Sequence, residues 1–337
     1  MNLGIILSPG DSLQKQKQTG QLERLIEYYL KPYLKKFRQV VVFSYGRQDQ
    51  ALVLPKNLKV VYVYRLDQYR SVDIIRVFQA PGGIPAIIAK VLFRKPYVVT
   101  YGYDYVSFVR NSGHPLLALS LGLIISLVLR LARNVIVTDR KNLSIVKSVY
   151  IPNGVDTAKF IPGKKRRPNL VLSVGRLEKQ KNYDLLIGAV SRLHRQIKLV
   201  IIGRGSQGEK LVSLASRLKV NFRIIENLPH LSLRQWYQKA AVFALTSKYE
   251  GHPKTLIEAM SCGCPCLTTN FSGNPVEAGN SGLVAGNERE FTLKLEKLLS
   301  EPALAEKLGL FARKQTISRY NITKLINQEI KLLCQLN

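Results

Sequence analysis

The chain has 337 residues, enough for two α/β domains, and a hydrophobic content of 46% that excludes general disorder. It carries 51 Lys and Arg against 22 Asp and Glu, a net charge of +29, shared about equally by its two halves, so no single basic tail accounts for it. A surface at positive potential throughout suits an anionic membrane leaflet or an acidic glycan; no aromatic-basic reading motif accompanies the charge, so nucleic acid is not the expected partner.

In chain order, the first expected element is a strand over 3–8, with no charged-then-apolar leader ahead of it. Further strands are expected over 40–44, 60–64, 73–78, 97–101 and 135–138, and helices near 20–37, 84–94 and 115–132. The stretch over 64–73 is too short for the helix expected between two parallel strands. Residues 115–129 are apolar all round and closed by Arg130 and Arg133. That is shorter than the roughly twenty residues a spanning helix needs, so a buried helix is expected, with an interfacial one as the alternative. A break at 151–156 and the basic, Pro-containing segment 162–168 read as an interdomain linker. The alternation then restarts, with strands over 170–174, 198–202, 222–225, 242–245 and 266–269, and terminal helices over 301–337 that bend near Tyr320 and Asn321. This is the pattern of parallel α/β sheets.

The four cysteines are Cys262, Cys264, Cys266 and Cys334. The first three lack the paired C-x-x-C spacing of zinc sites, so small buried thiols in a reducing, cytoplasmic setting are expected, and no metal site.

Gly203, Gly205 and Gly208 form G-x-G-x-x-G between a strand and a helix, with Glu226 about twenty positions on, as a dinucleotide fingerprint asks. That fingerprint normally opens the first strand of its domain, whereas here a strand and helix precede it; a tight packing turn is the stronger reading. Glu209 and Lys210 after Gly208 exclude a Walker loop.

The stretch over 247–265 reads S-K-Y-E-G-H-P-K-T-L-I-E-A-M-S-C-G-C-P. Glu250 ends a loop after a strand, Gly251 and Pro253 punctuate the turn, and a helix should begin near Lys254. Its free N–H groups and dipole form a seat for a diphosphate. A carboxylate just before that seat accepts hydrogen bonds from sugar hydroxyls, and a second, one turn into the helix at Glu258, accepts them from a ribose diol.

These residues resemble the E-x7-E region of retaining glycosyltransferases of family 4, close to S-x-x-E-G-F-P-x-x-x-x-E-A-M-A-x-G-x-P, with His252 for the aromatic and Ser261 for Ala. The likeness extends to I-P-N-G-V-D at 151–156 and to V-G-R-L-E-K-Q-K-N at 174–182, and covers 150–285 in order. It implies a GT-B fold, two Rossmann-like domains facing each other across a cleft. An acceptor-side domain would occupy 1–150 and a nucleotide-sugar domain 151–317, with a final helix over about 318–337 returning to the first. It further implies that Arg176 and Lys181 grip the donor diphosphate, that Glu250 contacts the transferred sugar and Glu258 the ribose, and that the amides of Gly251, His252, Pro253 and Lys254 line the sugar and β-phosphate. Gly203 would sit in the family's glycine turn, and Asn227, Leu228 and His230 near the base. No cofactor is implied beyond the nucleotide diphosphate sugar, which is the donor substrate; no D-x-D occurs to hold a metal. The acceptor would be a glycan or a lipid-linked molecule, and retention would follow front-face attack.

The first half matches this family less closely. Thr100-Tyr-Gly-Tyr-Asp104 stands where many members read T-H-G-x-D, so Tyr101 replaces a histidine; a phenol hydrogen-bonds a hydroxyl but is no base near neutral pH. Asp104 either orients an acceptor hydroxyl or caps the strand end. A non-catalytic nucleotide-sugar or anionic-surface binding protein is therefore the alternative function. For docking at the inner membrane face, the expected patch is Lys31, Lys35, Lys36 and Arg38 with Tyr28, Tyr29, Tyr33 and Phe37 as interfacial aromatics; the other reading puts those rings in the core.

Overall fold

The computed structural model describes residues 1–47, 49, 55–111, 113–226 and 228–335, in two compact units. The first unit is Met1–Pro152 together with the chain from Thr323 on. Its sheet comprises β1 (Asn2–Ile6), β2 (Gln39–Ser44), β3 (Leu58–Tyr62), β4 (Ile74–Val77), β5 (Tyr97–Tyr101), β6 (Asn134–Val137) and β7 (Ser148–Tyr150), in the order β3-β2-β1-β4-β5-β6-β7. Every pairing is parallel, and β1 is buried along its whole length, which is why the central strands read as unbroken apolar runs. Between β3 and β4, where no ordinary helix fits, the chain makes a short 3-10 helix, Leu66–Ser71.

The helical stretch before β2 is interrupted by a π turn, Ile26–Leu30. Pro32 follows it and has no N–H to return to the preceding turn, so the turn widens. The aromatics of this stretch do not face outward as an interfacial patch. Tyr33 and Phe37 are buried in the core, and Tyr29 packs against Phe78 at 5.5 Å between centroids. The rings of Tyr29, Tyr33 and Phe37 thus turn inward, while Lys31, Lys35 and Lys36 are exposed.

The expectation of a buried helix over 115–132 is also overturned. The helix Pro115–Leu131 buries Ala118, Ile125 and Val128, while Leu116, Leu119 and Leu123 are 83%, 63% and 68% exposed. With apolar residues on every side, the sequence carried no polar face to mark which side meets solvent.

The second unit, Asn153–Ile322, has six parallel strands: β8 (Arg167–Val174), β9 (Lys198–Ile202), β10 (Asn221–Ile225), β11 (Ala240–Leu245), β12 (Cys266–Thr269) and β13 (Leu283–Ala285), ordered β10-β9-β8-β11-β12-β13. Each face of this sheet carries its own apolar core. The segment 162–168 is not a linker. The Arg166 guanidinium donates to the carbonyls of Tyr237, Ala240 and Cys262, each at 2.9 Å, and β8 begins at Arg167, so the segment is pinned to the second unit. Like charges do not keep a strand in solvent when one of them satisfies three buried carbonyls.

The terminal helices Pro302–Arg319 and Ile322–Cys334 break at Tyr320 and Asn321. Val155 spans the break, donating to the Tyr320 carbonyl (2.8 Å) and accepting from the Ile322 amide (2.9 Å). Beyond it, Leu325, Ile326, Ile330 and Leu333 enter the core of the first unit. Glu329 there accepts from Arg76 Nε at 2.5 Å and from the Tyr33 hydroxyl, with both members of the ion pair almost fully buried.

Candidate active site

In the second unit the strand order reverses between β8 and β11, and in open parallel sheets ligands bind beyond the carboxyl ends of the strands at such a point. Beyond β8 lie Gly175, Arg176 and the 3-10 turn Lys179–Lys181; beyond β11 lies the loop from Thr246 to Glu250. Three hydrogen bonds stitch these segments together. Thr246 Oγ1 donates to the Lys181 carbonyl at 2.9 Å, the Lys248 amide to the Gln180 carbonyl at 2.9 Å, and Gln180 Nε2 to the Tyr249 carbonyl at 2.6 Å. The result is direct contact between Lys181 Nζ and Glu250 Oε1, with side chains 10% and 9% exposed. Ser247 Oγ donates to the same carboxylate oxygen at 2.6 Å.

Arg176 is exposed on the turn after β8. That turn is held by bonds from the Gly175 amide to Ile202 (3.0 Å) and from the Leu177 amide to Arg204 (2.9 Å). Gly203 has φ +152°, and a Cβ there would lie 2.0 Å from the Gly175 carbonyl oxygen; one on Gly205 would lie 2.5 Å from that of Leu177. The glycines are thus required by close backbone approach to the Arg176 turn. Their loop follows β9, one strand away from the reversal, which removes the reason to read a dinucleotide fingerprint into it.

The helix Lys254–Ser261 starts after Pro253, which has no side chain able to cap it, so the dipole of the first turn points at the loop that carries Glu250. Gly251 and Lys254 are half-buried at this end. His252 is 5% exposed, its ring lies 5.0 Å from that of Tyr320, and its carbonyl accepts from Asn153 Nδ2 at 2.6 Å. The His252 imidazole is thus turned inward rather than towards the loop surface.

Glu258, one turn into this helix, is 2% exposed. Oε1 lies 2.9 Å from His230 Nε2, and Oε2 accepts from the Tyr237 hydroxyl at 3.0 Å. His230 opens the helix His230–Lys239, and Tyr237 lies two turns further along it on the same face. Leu228 packs against the adjoining core; Asn227 lies outside the described residues. Asp104 belongs to the first unit, where Oδ1 accepts from the Ser107 amide at 3.0 Å at the start of the helix Tyr105–Asn111. Burial and the Asp104 charge raise the Tyr101 phenol above its ordinary value, so it stays neutral.

Sequence reasoning assigned no role to Gln180, Thr246 or Tyr237, and quoted Ser247 only as part of a motif. The spacing of His230 and Tyr237 was the one available signal, since it places both on one side of a helix.

Residues 155–315 match the model of the family described as Glycosyl transferases group 1. This stretch is similar to group 1 glycosyl transferases. Arg176, Lys181, Glu250 and Glu258 all fall within it. Among similar proteins, the lipopolysaccharide 1,6-galactosyltransferase of Salmonella typhimurium is 33% identical over 144 residues, 41% of this chain and 40% of that protein. In the first relatives by similarity, the matched stretch is 30% to 48% of the relative's own length. A longer match, 26% identical and covering 82% of this chain and 79% of the other, is to the Escherichia coli UDP-Gal:alpha-D-GlcNAc-diphosphoundecaprenol alpha-1,3-galactosyltransferase. Among solved structures, Anabaena HepE in complex with UDP and glucose matches over 100% of both chains, with TM-score 0.79 and 17% identity. The fold is GT-B, with two Rossmann-like domains.

Proposed function

We propose that the protein is a retaining, metal-independent glycosyltransferase, moving a sugar from a nucleotide diphosphate donor to a glycan or lipid-linked acceptor beside an anionic membrane surface. The observation that carries this reading is the contact of Lys181 with Glu250 at the reversal point, four residues before the amino end of the Lys254–Ser261 helix. Lys181 and Arg176 face the diphosphate, the guanidinium as a fork and the ammonium as a point charge. Together with the helix dipole they offset the negative charge that grows on the departing phosphate. Glu250, fixed by Ser247, accepts from hydroxyls of the transferred sugar, and Glu258 accepts from the ribose. As the bond from the anomeric carbon to the phosphate oxygen breaks, the acceptor oxygen bonds to that carbon on the same face, and the acceptor proton passes to the leaving phosphate.

The UDP bound by HepE and the UDP-sugar in the Escherichia coli relative's name favour uridine donors for the first assay. With UDP-galactose or UDP-glucose and detergent-dispersed GlcNAc-diphosphoundecaprenol, the expected result is EDTA-insensitive release of UDP and an α-linked product. Neither transfer nor donor hydrolysis, with UDP still binding, would leave the second reading, a nucleotide-sugar binding protein. The neutral Tyr101 phenol favours that second reading.

A further inference from the structure

The face of the Pro115–Leu131 helix that meets solvent is a stripe of leucines. Leu116, Leu119, Leu123 and Leu127 recur at helical spacing and are 83%, 63%, 68% and 50% exposed. The neighbouring helix Ile84–Phe93 packs alongside it, with Lys90 Nζ donating to the Leu131 carbonyl at 2.5 Å, and exposes Val91 (70%) and Leu92 (58%). Soluble surfaces scatter single apolar residues; a run of this kind marks a binding face.

The chain that builds this face is strongly cationic. Residues 84–150 hold nine Lys and Arg against two acids. One acid, Asp139, is buried, and the other, Asp104, is turned to cap a helix. A second copy of this chain would bring the same excess against it and be repelled. An anionic bilayer supplies both an apolar phase for the leucines and negative charge for the cations. The helix of 17 residues is about 25 Å long, short of the ~30 Å hydrocarbon core, and among the described residues no helix is long and apolar enough to cross a membrane. Such a helix lies in the interface plane with its leucines immersed. Ser120, also on this face, already returns its hydroxyl proton to the Leu117 carbonyl at 3.0 Å, so immersing it exposes no unmet donor.

We infer that the leucine face of Pro115–Leu131, carried on the cationic stretch 84–150, is the surface that docks on anionic lipid. This rests on the transferase reading with a membrane-side acceptor, and moves the docking face away from Lys31, Lys35 and Lys36. The test is sedimentation with phosphatidylcholine vesicles, with and without phosphatidylglycerol, at low and high salt. It compares wild type with a Leu119→Gln, Leu123→Gln, Leu127→Gln variant and a Lys31→Gln, Lys35→Gln, Lys36→Gln variant. Wild type should bind only vesicles containing phosphatidylglycerol, and less in salt. The leucine variant should bind them at least roughly tenfold less, with unchanged melting temperature and UDP affinity, while the lysine variant loses less. The inference is overturned if the leucine variant sediments like wild type, if wild type binds no vesicle, or if light scattering shows a wild-type dimer that the leucine changes dissociate. Failure of the transferase reading shows separately, as absent transfer in detergent whatever the vesicle result.

Discussion

Replacing Lys181 with Met keeps the length of the side chain and removes its charge, and two separable losses should follow. The first is in folding. Lys181 and Glu250 are about nine-tenths buried and in contact, so removing the cation leaves a carboxylate whose hydrogen-bond partner among the described residues is the Ser247 hydroxyl. Breaking a buried pair on one side costs about 3–5 kcal/mol. The second is in binding. A charged hydrogen bond to phosphate contributes about 1.5–3 kcal/mol, so Kd for UDP should rise roughly 10- to 150-fold. The variant Lys181→Met with Glu250→Gln removes the stranded charge and should regain most of the stability but none of the UDP affinity. UDP lacks the transferred sugar that Glu250 is proposed to contact, so the change at Glu250 does not itself blur that measurement. Arg176→Ala provides the converse, because loss of an exposed arginine strands no buried charge and should cost less stability than Lys181→Met while UDP affinity falls by a similar factor. Urea unfolding and titration calorimetry read the two quantities. A double variant that binds UDP as tightly as wild type would refute the placement of Lys181 at the diphosphate.

Two further expectations concern stability. Glu329→Gln leaves Arg76 as an uncompensated charge at 4% exposure and should cost about 3–5 kcal/mol in urea, whereas Arg76→Met with Glu329→Leu should cost far less; equal losses would show that charge pairing is not what matters there. Burial raises the thiols of Cys262 and Cys266 above the ordinary value of 9.0, so the unfolded chain gives up these protons first. Stability from this source is therefore full below about pH 9 and falls as pH climbs above it; a Cys262→Ala, Cys266→Ala variant should show a shallower decline, and an identical pH profile would dismiss the thiols as its cause.

The α/β class, most strands and the break at Tyr320 and Asn321 were legible because they depend on local pattern: β-branched runs between amphipathic stretches, and polar residues interrupting a helix. The edge strands β7 and β13, three residues each, were missed, since so short a run has no periodicity to read. What depends on long-range partners was invisible. Nothing near Arg166 hints at three carbonyls, and Arg76 meets Glu329 across 253 positions of sequence. For the aromatic cluster at 28–37 and the apolar stretch at 115–132 the sequence left surface and core both open, and the structure takes the core side for Tyr33 and Phe37 and the exposed side for most of the helix. Helical spacing shows that residues share a side; only tertiary packing decides which side is covered. At the site, Arg176, Lys181, Glu250 and Glu258 stood out through motif order, while the groups that hold them, Ser247, Thr246 and Tyr237, carry chemistry common to any surface.

Because His230 and Tyr237 hold the two oxygens of Glu258 inside the domain, that carboxylate has one rotamer before anything binds. The freedom a surface glutamate would lose on meeting a ligand, up to ~2 kcal/mol, has already been surrendered when the domain folds. A carboxylate fixed in this way presents its oxygens in set directions, whereas a mobile side chain would adapt to many partners.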